Sequence, residues 1–276
     1  MQSQVHSSLV SADNALMQQS ERHPDGWGVA YYIGGAPHVI KSVATAVSDK
    51  LFRHVSGVVT SETVLAHVRT ATQGSLSIID THPFQYGSWV MAHNGNIKNF
   101  PELRDQLVSH ISPIVRRFLI GSGDSEVLFY LLISEMARRC ELERPGYPLD
   151  ELAASVRAVV DRICEVAGPL CEDDGASPDN NFLSFVITNG KTMLAHQGGK
   201  SIYVSTHKKR CSERDSCPYF KPECEGSIDS GFVSHMVVSS EPIQGENVWV
   251  RMQPHEMVGV DWRMRLQRFP ANAASS

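Results

Sequence analysis

The segment WVMAHNG, Trp89 to Gly95, reads as a buried strand that delivers an amide side chain and a flexible glycine turn to its end. An amide-hydrolysing site needs that pair as an oxyanion hole, because the Asn94 amide and the Gly95 backbone N–H can converge on one developing negative oxygen. Loss of one such donor costs about 2.7–4 kcal/mol in the transition state. Asn-Gly by itself is commonly a hairpin turn. Here an apolar strand feeds it and a helical pattern, NIKNFPELRDQL, follows at once. Arg69 ends the apolar run TVLAHVR, where it either emerges to solvent or clamps a carboxylate bidentately, with Thr70 and Thr72 adding hydroxyls. Asp124, in GDSE at a helix start, either caps that helix or meets a substrate ammonium. Together Arg69 and Asp124 would read the two charges of an α-amino acid.

Other candidates are weaker. In HPDGWGVAYY, Asp25 and Gly26 form a turn leading into a strand, and Gly26 and Gly28 would let the backbone approach a ligand beside Trp27. Trp27 can equally be core. His82, in the turn THPF, is expected to hydrogen-bond neighbouring carbonyls rather than to transfer protons. Cys211, Cys217 and Cys224 share one polar loop with His207 just before it, and three thiols with an imidazole can hold tetrahedral zinc. Their spacings exceed the usual close pairs, so a metal-free surface loop is the expectation.

These residues need a scaffold. WGVAYYI at 27–33 and HVIKSV at 38–43, separated by GGAP, predict a hairpin, and the runs ending in Arg69 and Gly95 predict buried strands. GSGDSEVLFYLLISEMARRC predicts a helix capped by Ser122 or Asp124 with one apolar stripe, Val127, Leu128, Leu131, Leu132 and Met136. LDELAASVRAVVDRICEVA places Leu149, Leu152, Val156, Val159, Ile163 and Val166 on one face of a second helix. Six further strand-like runs follow between 181 and 262, completing an order of strands, helices and strands. An α+β fold of two antiparallel sheets packed face to face, with helices outside, satisfies that order. Residues 1–270 are expected to form a single domain, and 271–276 a frayed tail.

The 276-residue chain carries 25 basic and 30 acidic residues, a formal charge of −5 that argues against a nucleic-acid surface. No apolar run approaches the roughly 18 residues of a membrane span. The opening residues have neither the basic head nor the apolar stretch of a secretory signal, which points to the cytoplasm and to reduced cysteines.

The linked series HPDGWGVAYY, HVRTAT, THPF, AHNGNIKNF, GDSEVLFYLL, FVITNG, VVSSEP and WVRMQPHEMVGVD resembles the class II glutamine amidotransferases, within the amino-terminal nucleophile hydrolases. It is most similar to stand-alone members such as the γ-glutamyl hydrolase of ergothioneine biosynthesis. The resemblance implies a four-layer αββα sandwich and a glutamine or γ-glutamyl ligand. It implies that Arg69 and Asp124 hold the α-carboxylate and α-amino group, and that Asn94 and Gly95 form the oxyanion hole. It implies no metal or organic cofactor, and for an amidotransferase a synthase that receives ammonia. The family nucleophile is a terminal cysteine whose own α-amino group serves as base.

That cysteine and the family's opening strand are not found: residue 2 is Gln2 and the first cysteine is Cys140. Ser7 and Ser8 have no amine beside them. The chain as given is therefore expected to be inactive, because its start lies upstream, or as a non-catalytic γ-glutamyl or amino-acid binding protein, or as a degenerate fragment or structural partner protein. The upstream start is favoured, since an edge strand lost from a sandwich exposes unpaired backbone. The DNA immediately upstream is expected to encode, in frame, a methionine-cysteine pair and an apolar strand; a stop codon there would refute this.

Overall fold

The computed structural model describes residues 3–4, 7–70, 76–144, 146–172, 179–212, 214–218 and 220–271. Strands and helices are numbered along the chain. A seven-stranded antiparallel sheet runs in the order β11 (Gly231–Phe232), β15 (Arg265–Phe269), β14 (Met257–Val260), β9 (Met193–His196), β8 (Phe182–Thr188), β7 (Trp89–Asn96) and β6 (Phe84–Tyr86). Across from it lie two three-stranded sheets. One is β3 (Ala36–Ser42), β2 (Trp27–Ile33) and β5 (Val64–Val68); the other is β12 (Val237–Ser239), β10 (Tyr203–Ser205) and β13 (Val250–Arg251). The short strands β1 (Ser3–Gln4) and β4 (Thr60–Ser61) pair only with each other among the described residues.

Helices cover both outer faces. Helices α5 (Asp124–Arg139) and α6 (Leu149–Ala167) lie on the seven-stranded sheet, with α3 (Phe100–Ser109) packed on both and the single turn α4 (Pro113–Arg116) on α5. Their apolar faces meet Trp89, Met91, Phe185, Ile187 and Leu194 in the largest core. Helix α2 (Lys50–Val58) and the turn α1 (Leu16–Gln19) cover β2 and β5 through Met17, Trp27, Val29, Phe52 and Val55. The layers are α, β, β, α, the expected sandwich, with the second β layer in two pieces.

Strand alternation sorts every side chain between these layers. In β7, Trp89 and Met91 face the helices, while Val90 and Ala92 meet Ala30 and Leu65 between the sheets. The β2–β3 hairpin forms as expected, turning through Gly34 and Gly35 at φ +59° and +85°, conformations that cost glycine little. Strand β7 pairs with β8 over seven residues, from Val90↔Thr188 to Asn96↔Phe182.

Two expectations change. Helix α5 is buried on every side from Asp124 to Met136 rather than along one stripe, because β7, α3, α4 and α6 all pack on it. Its N-cap is Gly123, not Ser122 or Asp124. Ser122 is engaged by Asp80, and the Asp124 carboxylate reaches the Ile97 N–H instead.

Gly28 marks a close approach of β2 to the His82–Pro83 turn: an added Cβ would collide with the His82 carbonyl and lie 2.9 Å from Pro83 Cδ. Gly28→Ala should therefore lower the unfolding free energy by about 1–3 kcal/mol, read from the urea midpoint. An unchanged midpoint would show that the two segments can part freely.

Candidate functional site

A cavity of about 430 Å³ opens where the second β layer is interrupted. The β5 edge forms one wall and β12 another, with β7 and β8 of the opposite sheet beneath. Among the described strands β5 pairs only with β2, and β12 only with β10, so two unpaired strand edges border the space. Residues 239–243 and the segment from Leu9 to His23 also line it and are strapped together: Asn14 Nδ2 donates to the Pro242 carbonyl at 2.8 Å, and Arg22 reaches Glu241 at 3.3 Å.

Alternation in β7 decides what reaches this cavity. His93 turns toward the helices, where Nδ1 lies 2.8 Å from Ser125 Oγ and Nε2 3.0 Å from the Phe182 carbonyl. Asn94 consequently turns the other way, exposed and lining the cavity. Gly95 follows, and a Cβ on it would run into the Phe182 carbonyl and the His93 ring. A bare backbone is thus required beside Asn94 for packing alone, and it leaves the main chain open to a ligand.

Arg69 is 4% exposed just beyond β5. Its N–H donates to the Gly26 carbonyl at 2.8 Å and its carbonyl accepts from Asp25 N–H at 3.0 Å, so the Asp-Gly turn extends the β2–β5 pairing and fixes the strand end. Asp124 is 3% exposed, with Oδ2 accepting from Ile97 N–H at 2.7 Å and Oδ1 from Ser125 Oγ at 3.3 Å. Arg69, Thr70, Asn94, Gly95 and Asp124 all line the one cavity.

Gly26 and Trp27 do not line the cavity. Trp27 alternates outward with Val29, its ring edge-on to Phe52 at 5.0 Å and Nε1 donating to Asp49 at 3.0 Å. Gly26, at φ +126°, serves the turn, where a Cβ would sit 2.7 Å from the Ser42 carbonyl. Thr72 lies outside the described residues. Cys211, Cys217 and Cys224 are free thiols, and among the described residues they and His207 do not gather into a metal-binding group. Cys211 N–H goes to Glu225 instead.

Two contributors, Asp80 and His23, were missed by sequence reasoning, and Glu126 supports the same loop without lining the cavity. Asp80 accepts from the N–H groups of Ser122 and Gly123 at 2.9 and 3.2 Å and from Ser122 Oγ at 3.1 Å, shaping the approach to Asp124. Glu126 accepts from Ile120 and Gly121 at 3.2 and 2.7 Å, with burial raising its pKa. His23 Nδ1 lies 2.7 Å from Thr70 Oγ1, orienting that hydroxyl. The one legible signal was an acid directly after the apolar pair Ile78-Ile79. His82 departs from expectation too: neither ring nitrogen finds a carbonyl. The ring sits between those of His67 and Phe84, at 4.3 and 4.8 Å.

The arrangement can hold a zwitterion by opposite buried charges and can present an amide and a bare backbone to a carbonyl oxygen. No cysteine is among the described residues lining the cavity.

The family profile described as class-II glutamine amidotransferases matches residues 1–264. The chain is 28% identical over 208 residues to the probable glutamine amidotransferase DUG3 of Saccharomyces cerevisiae, covering 69% of this chain and 56% of that protein. It thus spans little more than half the length of that relative. It is 40% identical over 72 residues to the gamma-glutamyl-hercynylcysteine sulfoxide hydrolase of Mycobacterium tuberculosis, covering 26% of this chain and 31% of that one. The fold is similar to that of a glutamine aminotransferase class-II domain protein from Silicibacter pomeroyi, with a TM-score of 0.58 at 24% identity over 90% of this chain and 92% of that one.

Several histidines on and near the cavity are held neutral. Burial, then the neighbouring cations and imidazoles, pushes His67 down to about 3 and His82 well below its ordinary value. Burial likewise lowers His93, and His196 to about 4. Unfolded, these rings would titrate near pH 6.5, so the unfolded chain binds more protons and stability falls as pH drops. The urea midpoint should therefore decline from pH 7 through pH 5 toward 4. A midpoint flat across that window would contradict the burial of these rings.

Proposed function

The chain belongs to the class-II glutamine amidotransferases, and from that premise we propose that its cavity binds glutamine or a γ-glutamyl compound. Arg69 clamps the α-carboxylate, Asp124 pairs with the α-ammonium, and Asn94 with the Gly95 N–H receives the γ-carbonyl oxygen. The observation that carries this reading is a cation and an anion, 4% and 3% exposed, on one cavity. A cation and an anion held nearly out of water on one cavity are complementary to the two charges of a zwitterion.

The chemistry follows from what the oxyanion donors can stabilise. A thiol would attack the γ-carbonyl, an adjacent amine would take its proton and return it to the leaving nitrogen, and a thioester would form. Water would then cleave the thioester, releasing glutamate and restoring the thiol. Asn94 and Gly95 would hold the negative oxygen in both steps. No metal or organic cofactor is required by this route. The gap between the β5 and β12 edges supports a catalytic form in which one more strand, carrying the thiol, lies there. With no thiol among the described residues lining the cavity, the chain as given is proposed to bind its ligand and not to turn it over, which is also the property of a non-catalytic γ-glutamyl binding protein.

The 72-residue likeness to a γ-glutamyl hydrolase supports hydrolysis of a γ-glutamyl compound; the alternative is ammonia delivered to a synthase. Six cysteines that form no disulfide among the described residues support a cytoplasmic location. Among the described residues no helix is long and apolar enough to cross a membrane.

Calorimetry with L-glutamate and L-glutamine tests the reading. The 276-residue chain should bind, and Arg69→Ala should weaken binding by at least roughly 30-fold, the 2 kcal/mol lower bound for breaking a buried charge pair. No heat from the folded, unaltered chain would remove the proposal. Release of ammonia from glutamine by that chain would refute the need for a thiol.

A further inference from the structure

The floor of the cavity continues past Asn94, and what stands there bears on the group that a γ-glutamyl ligand carries on its γ-nitrogen. Strand β7 has β6 on one side and β8 on the other. The residues proposed for the amino acid's two charges lie on the β6 side. The ring of His67, two residues before Arg69, is 4.3 Å from that of His82, just before β6. Asp80, two residues before His82, holds the N–H groups of Ser122 and Gly123 ahead of Asp124. A γ-glutamyl chain that begins there and brings its γ-carbonyl to Asn94 therefore sends its leaving group on toward β8.

Ser184 is the partner of Asn94 across the β7–β8 ladder, so the two side chains share the face that looks into the cavity. Phe182, two residues away, lies on the same face and also lines the cavity. Ser184 Oγ donates to the Lys200 carbonyl at 2.7 Å and accepts from the N–H groups of Gly198 and Lys200 at 2.9 and 3.0 Å. The turn from β9 to β10 is thus fixed on Ser184, one strand beyond Asn94. From that turn the Lys200 ammonium reaches over the Phe182 ring, 4.2 Å from its centroid, an attraction that keeps the cation on the cavity side. Asp80 and Asp124, the carboxylates among the described lining residues, both stand on the far side of Asn94, whereas the charged residue beside Ser184 is Lys200.

The chemistry of the leaving group follows from that cation. The amide of glutamine ends at its nitrogen and offers Lys200 nothing. An amine that is itself an amino acid, or the next residue of a γ-linked peptide, carries a carboxylate one carbon further on. Lysine is a point charge on a flexible stem, suited to meet an anion at that place.

We propose that Lys200 is a specificity residue for the leaving group, pairing with a carboxylate on the amine, so that the site prefers γ-glutamyl amino acids and peptides to glutamine. This rests on the γ-glutamyl reading above, and the test separates the two.

Calorimetry on the full chain compares γ-L-glutamylglycine with γ-L-glutamylglycinamide, which has the same shape without the negative charge on its glycine end. The unaltered chain should bind the first about tenfold more tightly, the low end for a hydrogen bond to a charged group, and added salt should narrow the ratio. Lys200→Gln should bring the two affinities together, and Lys200→Arg should keep most of the preference. A structural role for Lys200 would weaken both ligands alike and leave the ratio in place, which overturns the inference, as do equal affinities in the unaltered chain. If Lys200→Gln does not fold, the Lys200 Nζ resonance of the unaltered protein decides. A larger displacement with γ-L-glutamylglycine than with the glycinamide supports the proposal, and equal displacements overturn it. Failure of the unaltered chain to bind either compound or L-glutamine would strike the γ-glutamyl reading, and this inference with it.

Discussion

A slip of one residue between β7 and β8 would exchange the places of His93 and Asn94, because strand side chains alternate between faces. The register is held against this at several points. Trp89 and Met91 fill the helix-side core while Val90 and Ala92 meet the opposite sheet. His93 is tied to Ser125 on α5 and to the carbonyl of Phe182 on β8. Gly95 packs so tightly on the same carbonyl that no side chain fits. Asn94 and Gly95 are thus located by the ladder between β7 and β8, and α5 with its leading carboxylate is tied to the same histidine. Both halves of the site share one reference.

Charge burial is the second constraint. Arg69 and Asp124 are nearly inaccessible, as is Asp80, and Lys41 donates to the Thr81 carbonyl at 2.7 Å. Asp80 and Glu126 are compensated by backbone N–H groups from residues 120–123, an arrangement that also stiffens the chain leading into α5. Carboxylates accepting several main-chain hydrogen bonds act as local scaffolding without needing a ligand. Asp80 and Asp124 both border the cavity, and Asp124 stands at the positive end of a 16-residue helix.

The motifs were legible where local pattern and tertiary role agree. The β2–β3 hairpin, β5, β7, α5 and α6 follow from alternation, glycine placement and helical spacing, and the five cavity residues Arg69, Thr70, Asn94, Gly95 and Asp124 were singled out from sequence. What escaped depended on contacts distant in the chain. Asp80 meets residues 42 positions later, and His23 meets Thr70 across 47. Trp27 was ambiguous because a tryptophan beside a glycine turn can face either layer; only its pairing with Phe52 of α2 decides it. That helix was itself passed over, although Asp49 caps it and Phe52 and Val55 carry its apolar spacing. Strand β15, with a single fully buried side chain, offers little alternation to detect.

The two β layers are in close contact at one end and apart at the other, and small side chains account for the difference. Gly28, Ala30 and Ala92 let the sheets meet beneath β2. A separate cluster of Ile202, Val204, Val258 and Val260 holds β10 against β9 and β14. Between these two contacts neither β5 nor β12 has a neighbour on its open edge among the described strands. Each contact fixes its own three-stranded sheet against the seven-stranded one, so the gap is held at both sides by packed cores rather than by the chain that crosses it. A cavity framed in this way keeps its width without a ligand. That rigidity allows Arg69 on one layer and Asn94 on the other to face a common space before anything binds, as preorganised recognition requires.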